Sequence, residues 1–205
     1  MLKTFATVAG MLLLALLVVA QTPATPAPAS DAPTYTAAGD LIAPTGYRQW
    51  VYLSTGIDMS YVASTEPADY HMFDNTFVNP SSYRSFLATG TWPDKTTFIL
   101  EIRGAENPIS INKRGHTQSA EVMGTEIHVK DHGKWSFFDL PDNATAAKLI
   151  PPPASCYTCH EAHGAVDTTF VQFYPTLLPL ATQKHTLSPE YRKEILTPAA
   201  AAPAK

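Results

Sequence analysis

Both cysteines of the chain stand in one short stretch, "SCYTCHEAHG", residues 155 to 164. Cys156 and Cys159 are separated by two residues, and His160 follows the second directly. Three chemistries use thiols so spaced. A c-type haem takes two thiols that add across its vinyl groups, and the imidazole after the second thiol ligates the iron. A structural zinc site uses such a pair as half of its ligand set, yet the chain has no second CxxC. His163 can add one ligand there, and a fourth is not evident. A Cys156–Cys159 redox disulfide suits an oxidising compartment. Thioredoxin-like motifs, however, open a helix within a βαβ pattern near the start of a fold, and this motif lies late in the chain. Chance gives this spacing with a following histidine on the order of one time in 3,000. The residues favour one covalently attached haem c, with thioethers at Cys156 and Cys159 and His160 as the proximal iron ligand.

A haem of that kind is attached outside the cytoplasm, and the N-terminus agrees. Lys3 and the apolar run "FATVAGMLLLALLVVA" read as an export signal, residues 1–20. The run is shorter than the roughly 20 residues that span a bilayer. Val18 and Ala20 offer small side chains before a cleavage point, and an uncleaved signal would tether the protein to a membrane. Residues 21–38 are rich in Pro and Ala and read as a linker, and residues 197–205 as a disordered tail. The folded unit is expected over residues 39–196. The chain of 205 residues carries a formal charge of −4, and its basic residues form no run. That argues against nucleic acid as a partner.

The elements that position the motif read as α+β, a mostly antiparallel sheet with several short helices. "GYRQWVYLSTGI" is aromatic and β-branched enough for a strand. "NPSSYRSFLATG" reads as a helix with Asn79 as cap, Pro80 at its first position and Gly90 ending it. "DKTTFILEIRG" alternates, with Phe98, Leu100 and Ile102 on one face and Thr97, Glu101 and Arg103 on the other. "GTEIHVKDHGKWSFFDL" reads as two strands turning at His132-Gly133, with Glu126, His128 and Lys130 on one face of the first. "DNATAAKLI" is expected to be a short helix. "VDTTFVQFYPTLLPLA" is expected to be helical before Pro175, and "SPEYRKEIL" to form a last helix opened by Ser188 and Pro189.

"GDLIAPTGYRQWVYLST", "FVNPSSYRSF", "TGTWPDKTTFILEIR", "GTEIHVKD", "KWSFFDL" and "CYTCHEAHGAVDTTFVQFYPTL" occur in an order and spacing that resemble cytochrome P460 family domains. That family also includes the cytochromes c′-β, and the resemblance runs from about Gly39 to Leu178. It implies a mostly antiparallel β fold, one haem c, a homodimer and five-coordinate iron with an open face. Members oxidise hydroxylamine or bind nitric oxide and related small ligands. In the hydroxylamine-oxidising members a strand lysine forms an extra bond to the haem ring, and the matching position here is Leu100. Lys95 lies in the preceding turn, five residues away, an odd shift that reverses the strand face.

The resemblance also implies aromatic side chains that keep the open face of the iron dry, for which Tyr70, Phe73 and Phe77 are the candidates. Glu126 matches an acidic position that accepts substrate protons in the enzymes. His163 reads as an exposed neighbour of the haem edge, and His71, His116, His128, His132 and His185 carry no spacing signal. The expected function is binding of nitric oxide or a similar small ligand at iron opposite His160. One alternative is an oxidoreductase acting on hydroxylamine or peroxide. Another is a periplasmic electron-transfer cytochrome with a redox partner protein, its sixth ligand from Met59, Met72, Met123 or a histidine.

Overall fold

The computed structural model describes residues 30–61 and 70–197. The export signal, most of the Pro/Ala segment and residues 198–205 lie outside the described residues. Among the described residues seven antiparallel strands form one sheet: β1 (Leu41–Ile42), β2 (Val51–Ile57), β3 (Met72–Val78), β4 (Thr97–Glu106), β5 (Thr117–Asp131), β6 (Lys134–Asp139) and β7 (Ala146–Ile150). Their spatial order is β1-β7-β6-β5-β4-β3-β2. Among the described residues there are four α-helices: α1 (Pro80–Thr89) joins β3 to β4, and α2 (Ser155–His163), α3 (Leu178–Gln183) and α4 (Pro189–Leu196) follow β7. This is the α+β, mostly antiparallel architecture expected.

The β5–β6 hairpin turns where the sequence places it. Asp131 pairs with Lys134, and the two residues between them, His132 (φ 48°) and Gly133 (φ 73°), are both left-handed. That is the twist a two-residue hairpin demands, and glycine adopts it at no steric cost. Helix α1 also forms as expected and ends at Gly90. Its start differs. The Asn79 side chain makes no cap bond, because it is wholly buried and bridges to β4, accepting from Thr97 N at 2.9 Å and donating to the Lys95 carbonyl at 3.2 Å. Asp31 supplies the cap instead, accepting from Ser81 N at 2.7 Å and Ser81 Oγ at 2.6 Å. Tyr35 bridges to Leu41, so residues placed in the linker on composition pack on the domain.

Two other expectations are corrected. "DNATAAKLI" gives strand β7, not a helix. The stretch is too short to offset helix nucleation, and prolines follow at once, whereas as a strand it completes the β6 edge (Phe137↔Ile150, Asp139↔Lys148) and pairs with β1. Ala147 is fully buried there. "VDTTFVQFYPTLLPLA" is not helical before Pro175, apart from one 3₁₀ turn at Val171–Phe173. Asp167 (φ 50°) and Thr168 (φ 54°) are left-handed and break the periodicity. Helix α4 forms as expected, with Ser188 Oγ accepting from Tyr191 N at 3.0 Å.

The sheet buries a cluster on each face. Phe98, Val78, Trp92, Phe86 and Leu177 pack on the side that carries the helices, and Ile99, Ile127, Val129, Phe138 and Leu41 on the other. Within the second side lies Glu101, which alternation alone assigned to a polar face and which is only 2% exposed. Its carboxylate accepts from Arg48 at 2.6 Å, from Tyr47 and from Arg103. Arg103 also donates to the Ser119 and Ala120 carbonyls at 3.0 and 2.8 Å, which ties β4 to β5. Burial pushes the Glu101 carboxyl up, but the hydrogen bonds from Arg103, Tyr47 and Arg48 outweigh it and hold it below its ordinary value of 4.5. The depressed group therefore stabilises the fold above about pH 4.5, and this contribution is lost as pH falls further. Glu101→Gln is expected to cost about 3 kcal/mol at neutral pH, because two guanidinium groups lose their counter-charge. It should also flatten the acid limb of the stability curve. Urea unfolding from pH 3 to pH 7 reads both.

Candidate functional site

The thiols and the imidazole lie on α2. Cys156, Cys159 and His160 are separated by three and one residues, which sets Cys156 one turn from the other two on a common helix face. Both cysteines are free and half-buried, and no disulfide joins them. Tyr157 fixes the helix to the sheet by donating to the Ile150 carbonyl at 2.8 Å and packing edge-on against Phe137 at 4.6 Å.

Three rings and one carbonyl position His160. Its ring lies 4.2 Å from Phe170, 4.7 Å from Phe137 and 5.1 Å from His128. Its Nδ1 is 2.8 Å from the Thr168 carbonyl oxygen. A carbonyl can only accept, so Nδ1 carries the proton and Nε2 keeps its lone pair. Burial, with the neighbouring His128, pushes the imidazole down to about 4, so the ring is neutral at physiological pH. A neutral ring with one nitrogen anchored to a carbonyl and the other bare is what a metal ligand requires. Two thiols and such an imidazole on one helix fit a c-type haem.

The Thr168 carbonyl is in turn fixed by a tight turn. Val166 and Thr169 pair across Asp167 and Thr168, and holding two residues other than glycine left-handed costs about 1–2 kcal/mol each. Buried contacts offset this. Thr169 Oγ1 donates to the Val166 carbonyl at 2.7 Å and accepts from Trp92 Nε1 at 2.9 Å. Asp167 pairs with Lys130 of β5, and Lys130 also donates to the Trp92 carbonyl at 2.8 Å. Gly164, buried at the end of α2, lets the turn approach the helix. A Cβ there would lie 2.5 Å from the Thr168 carbonyl carbon and 2.7 Å from the His160 carbonyl oxygen.

The sheet beside His160 is set by register. Leu100 pairs with Thr76 on β3 and Glu126 on β5, and Ile102 pairs with Asp74, so these five side chains share the face of Phe98 and His128. All five are half-buried. Glu126 Oε2 lies 3.7 Å from His128 Nε2, and this neighbouring imidazole holds the Glu126 carboxyl below the usual range despite burial. Asp74 goes the other way, raised by burial and then by the charge of Glu126. The wall around Leu100 is thus mixed in polarity rather than apolar throughout.

The candidates do not all gather here. Cys156, Cys159, His160, Leu100 and Glu126 do. Phe73 and Phe77 pair with Arg103 and Ile99, on the opposite face, where Phe77 packs against Tyr47 and Tyr52 at 5.6 and 5.8 Å. A one-residue offset on β3 decides this: Asp74 and Thr76 take the face that the two aromatics were expected to line. Tyr70 is exposed. His163 is exposed and meets Glu194 at 3.1 Å. Met123 Sδ sits against Gly104, and Met59 against Gly56. Thr168, Phe137, Phe170 and Asp74 were missed. Period-two register across β3 and β4 could have found Asp74, whereas a backbone carbonyl leaves no mark in a sequence.

Gly164→Ala must push the Thr168 turn away from α2 and break its bond to His160. The expected result is a loss of about 1–3 kcal/mol together with less haem retained per chain. Gly46→Ala, where a Cβ meets nothing within 4 Å, is the control and should change neither. Thermal melts and haem-to-protein ratios measure the pair.

No curated protein matches the chain. The model of the Cytochrome P460 family matches residues 44–171, which takes in strands β2 to β7, the CxxCH helix and the turn that holds His160. The chain belongs to the cytochrome P460 family and is a haem protein.

Proposed function

We propose that the protein is an exported cytochrome with one covalent haem c, that it binds nitric oxide or a related small ligand, and that it lacks the lysine–haem bond of the hydroxylamine-oxidising members. The observation that carries this reading is the neutral His160 imidazole, anchored through Nδ1, beside a half-buried sheet face centred on Leu100. Cys156 and Cys159 would hold the haem and His160 would ligate it. Such a haem supplies an iron centre that can coordinate a small neutral molecule opposite the histidine. Leu100 and Ile102 supply the apolar part of that mixed sheet face. Leu100 has no amine to bond a porphyrin. Lys95 cannot replace it, because it lies in the turn before β4 with φ 70° and its ammonium meets Asp131 at 2.5 Å.

A second reading has one observation in its favour. Glu126 pairs with Leu100 across the strands and its carboxyl is held ionised by His128, so it can accept a proton from hydroxylamine or peroxide. Export rests on the N-terminal segment. Among the described residues no helix is long and apolar enough to cross a membrane. Homodimeric assembly, and a redox partner that reduces the iron, belong to the same proposal through the family resemblance.

The test is the absorption spectrum of the reduced protein before and after nitric oxide. A high-spin spectrum that shifts on addition is expected, with no hydroxylamine-dependent reduction of an acceptor dye. A low-spin spectrum indifferent to nitric oxide would move the function to electron transfer. Dye reduction that Glu126→Gln abolishes would move it to the enzyme.

A further inference from the structure

At one end of the sheet, away from the CxxCH helix in sequence, two histidine rings face each other. His71 immediately precedes β3 and His116 immediately precedes β5, and their ring centroids are 4.5 Å apart with planes at 38°. His71 is exposed and His116 half-buried. Nothing in the haem site uses either of them.

The nitrogen nearer the backbone is taken in both rings. His71 Nδ1 is 2.5 Å from Asp58 Oδ2, and His116 Nδ1 is 3.2 Å from the Glu106 carbonyl oxygen. Both partners are pure acceptors: one is a carbonyl, and the hydrogen bond from His71 holds the Asp58 carboxyl below its usual range. Each Nδ1 must therefore carry a proton, and in the neutral rings each Nε2 is a bare lone pair. Imidazoles oriented by a carboxylate or a carbonyl on the far nitrogen are the arrangement found at metal centres.

The support behind the rings is firm. Asp58 uses its other oxygen to accept from Met72 N at 3.0 Å. Asp58 N donates to the Met72 carbonyl at 3.0 Å, and Ala105 N donates to the His71 carbonyl at 3.0 Å. Three strand ends, those of β2, β3 and β4, thus fix the position of His71, and the Glu106 carbonyl at the end of β4 fixes His116.

We propose that His71 and His116 form a binding site for a divalent transition ion of the zinc or copper class, which imidazole nitrogens prefer, with water completing the coordination. The ion would clip the β2–β3 connection to the β4–β5 connection. The first of these carries Tyr61, whose ring lies 6.0 Å from Phe170, itself packed on His160. The site is independent of the function proposed above.

The experiment is calorimetric titration of the untagged, haem-loaded protein with zinc(II) at neutral pH, with copper(II) electron paramagnetic resonance to count nitrogen ligands. One zinc per chain and two imidazole nitrogens on copper are expected. His71→Gln and His116→Gln should each weaken zinc at least tenfold, and Asp58→Asn about tenfold through the lost orientation, with the haem spectrum unchanged. The comparison cluster is Asp94, Asp131 and His132, whose carboxylates are engaged by Gly133 N and Lys95; His132→Gln should leave zinc binding intact. Absence of zinc binding, zinc lost in His132→Gln but kept in the other two, or a single nitrogen on copper would each overturn the proposal. The copper spectrum needs no variant, so a misfolded substitution leaves the decision standing.

Discussion

The hydrogen bond from His160 Nδ1 to the Thr168 carbonyl is the contact on which the site depends. It fixes the tautomer, aims the ring and leaves Nε2 free, and none of this is dictated by the CxxCH residues themselves. Much of the surrounding structure serves to keep that one oxygen in place. Trp92, the Thr169 hydroxyl and the Lys130–Asp167 pair hold a turn with two left-handed residues, and Gly164 lets the turn lie against the helix end. Strain stored in a turn persists only where contacts over-determine it, and here they do.

The sheet divides the remaining work between its faces. One carries the helices, the Trp92 cluster and the half-buried strip of Asp74, Thr76, Leu100 and Glu126. The other is closed by Ile99, Ile127 and Phe138 and by the buried Glu101 with its tyrosine and two arginines. Burying a carboxylate is costly unless it is fully partnered, and Glu101 adjoins Leu100 on β4. The ion cluster on the closed face therefore fixes the register of the strand that presents Leu100 to the site. Two carboxylates on the helix-bearing face, Asp74 and Glu126, are pushed in opposite directions by their surroundings.

How much of this could be read from the sequence varied with the range of the interaction. The CxxCH, the proline-led helices α1 and α4, and the hairpin at His132-Gly133 are local signals carried by side chains within a few residues, and they were legible. Strand β7 was not: its alanines fit a helix as well as a strand, and an unpaired β6 edge decided between them. The Phe73 and Phe77 placement turned on parity, which a single strand does not reveal until its partner is aligned. Glu101 looked like a solvent-facing residue because two of its three partners, Tyr47 and Arg48, come from one distant segment. The Pro/Ala composition before Gly39 hid the one carboxylate, Asp31, that caps α1 from outside the helix.

The central claim is that a neutral His160 binds the haem iron and that the opposite side of the iron is open. Resonance Raman spectroscopy of the reduced protein tests it most directly. The account predicts five-coordinate, high-spin marker bands together with an iron–imidazole stretching band that is lost when His160 is replaced. Six-coordinate, low-spin bands without that stretch would contradict it, since another side chain would then occupy the site the fold is taken to leave free.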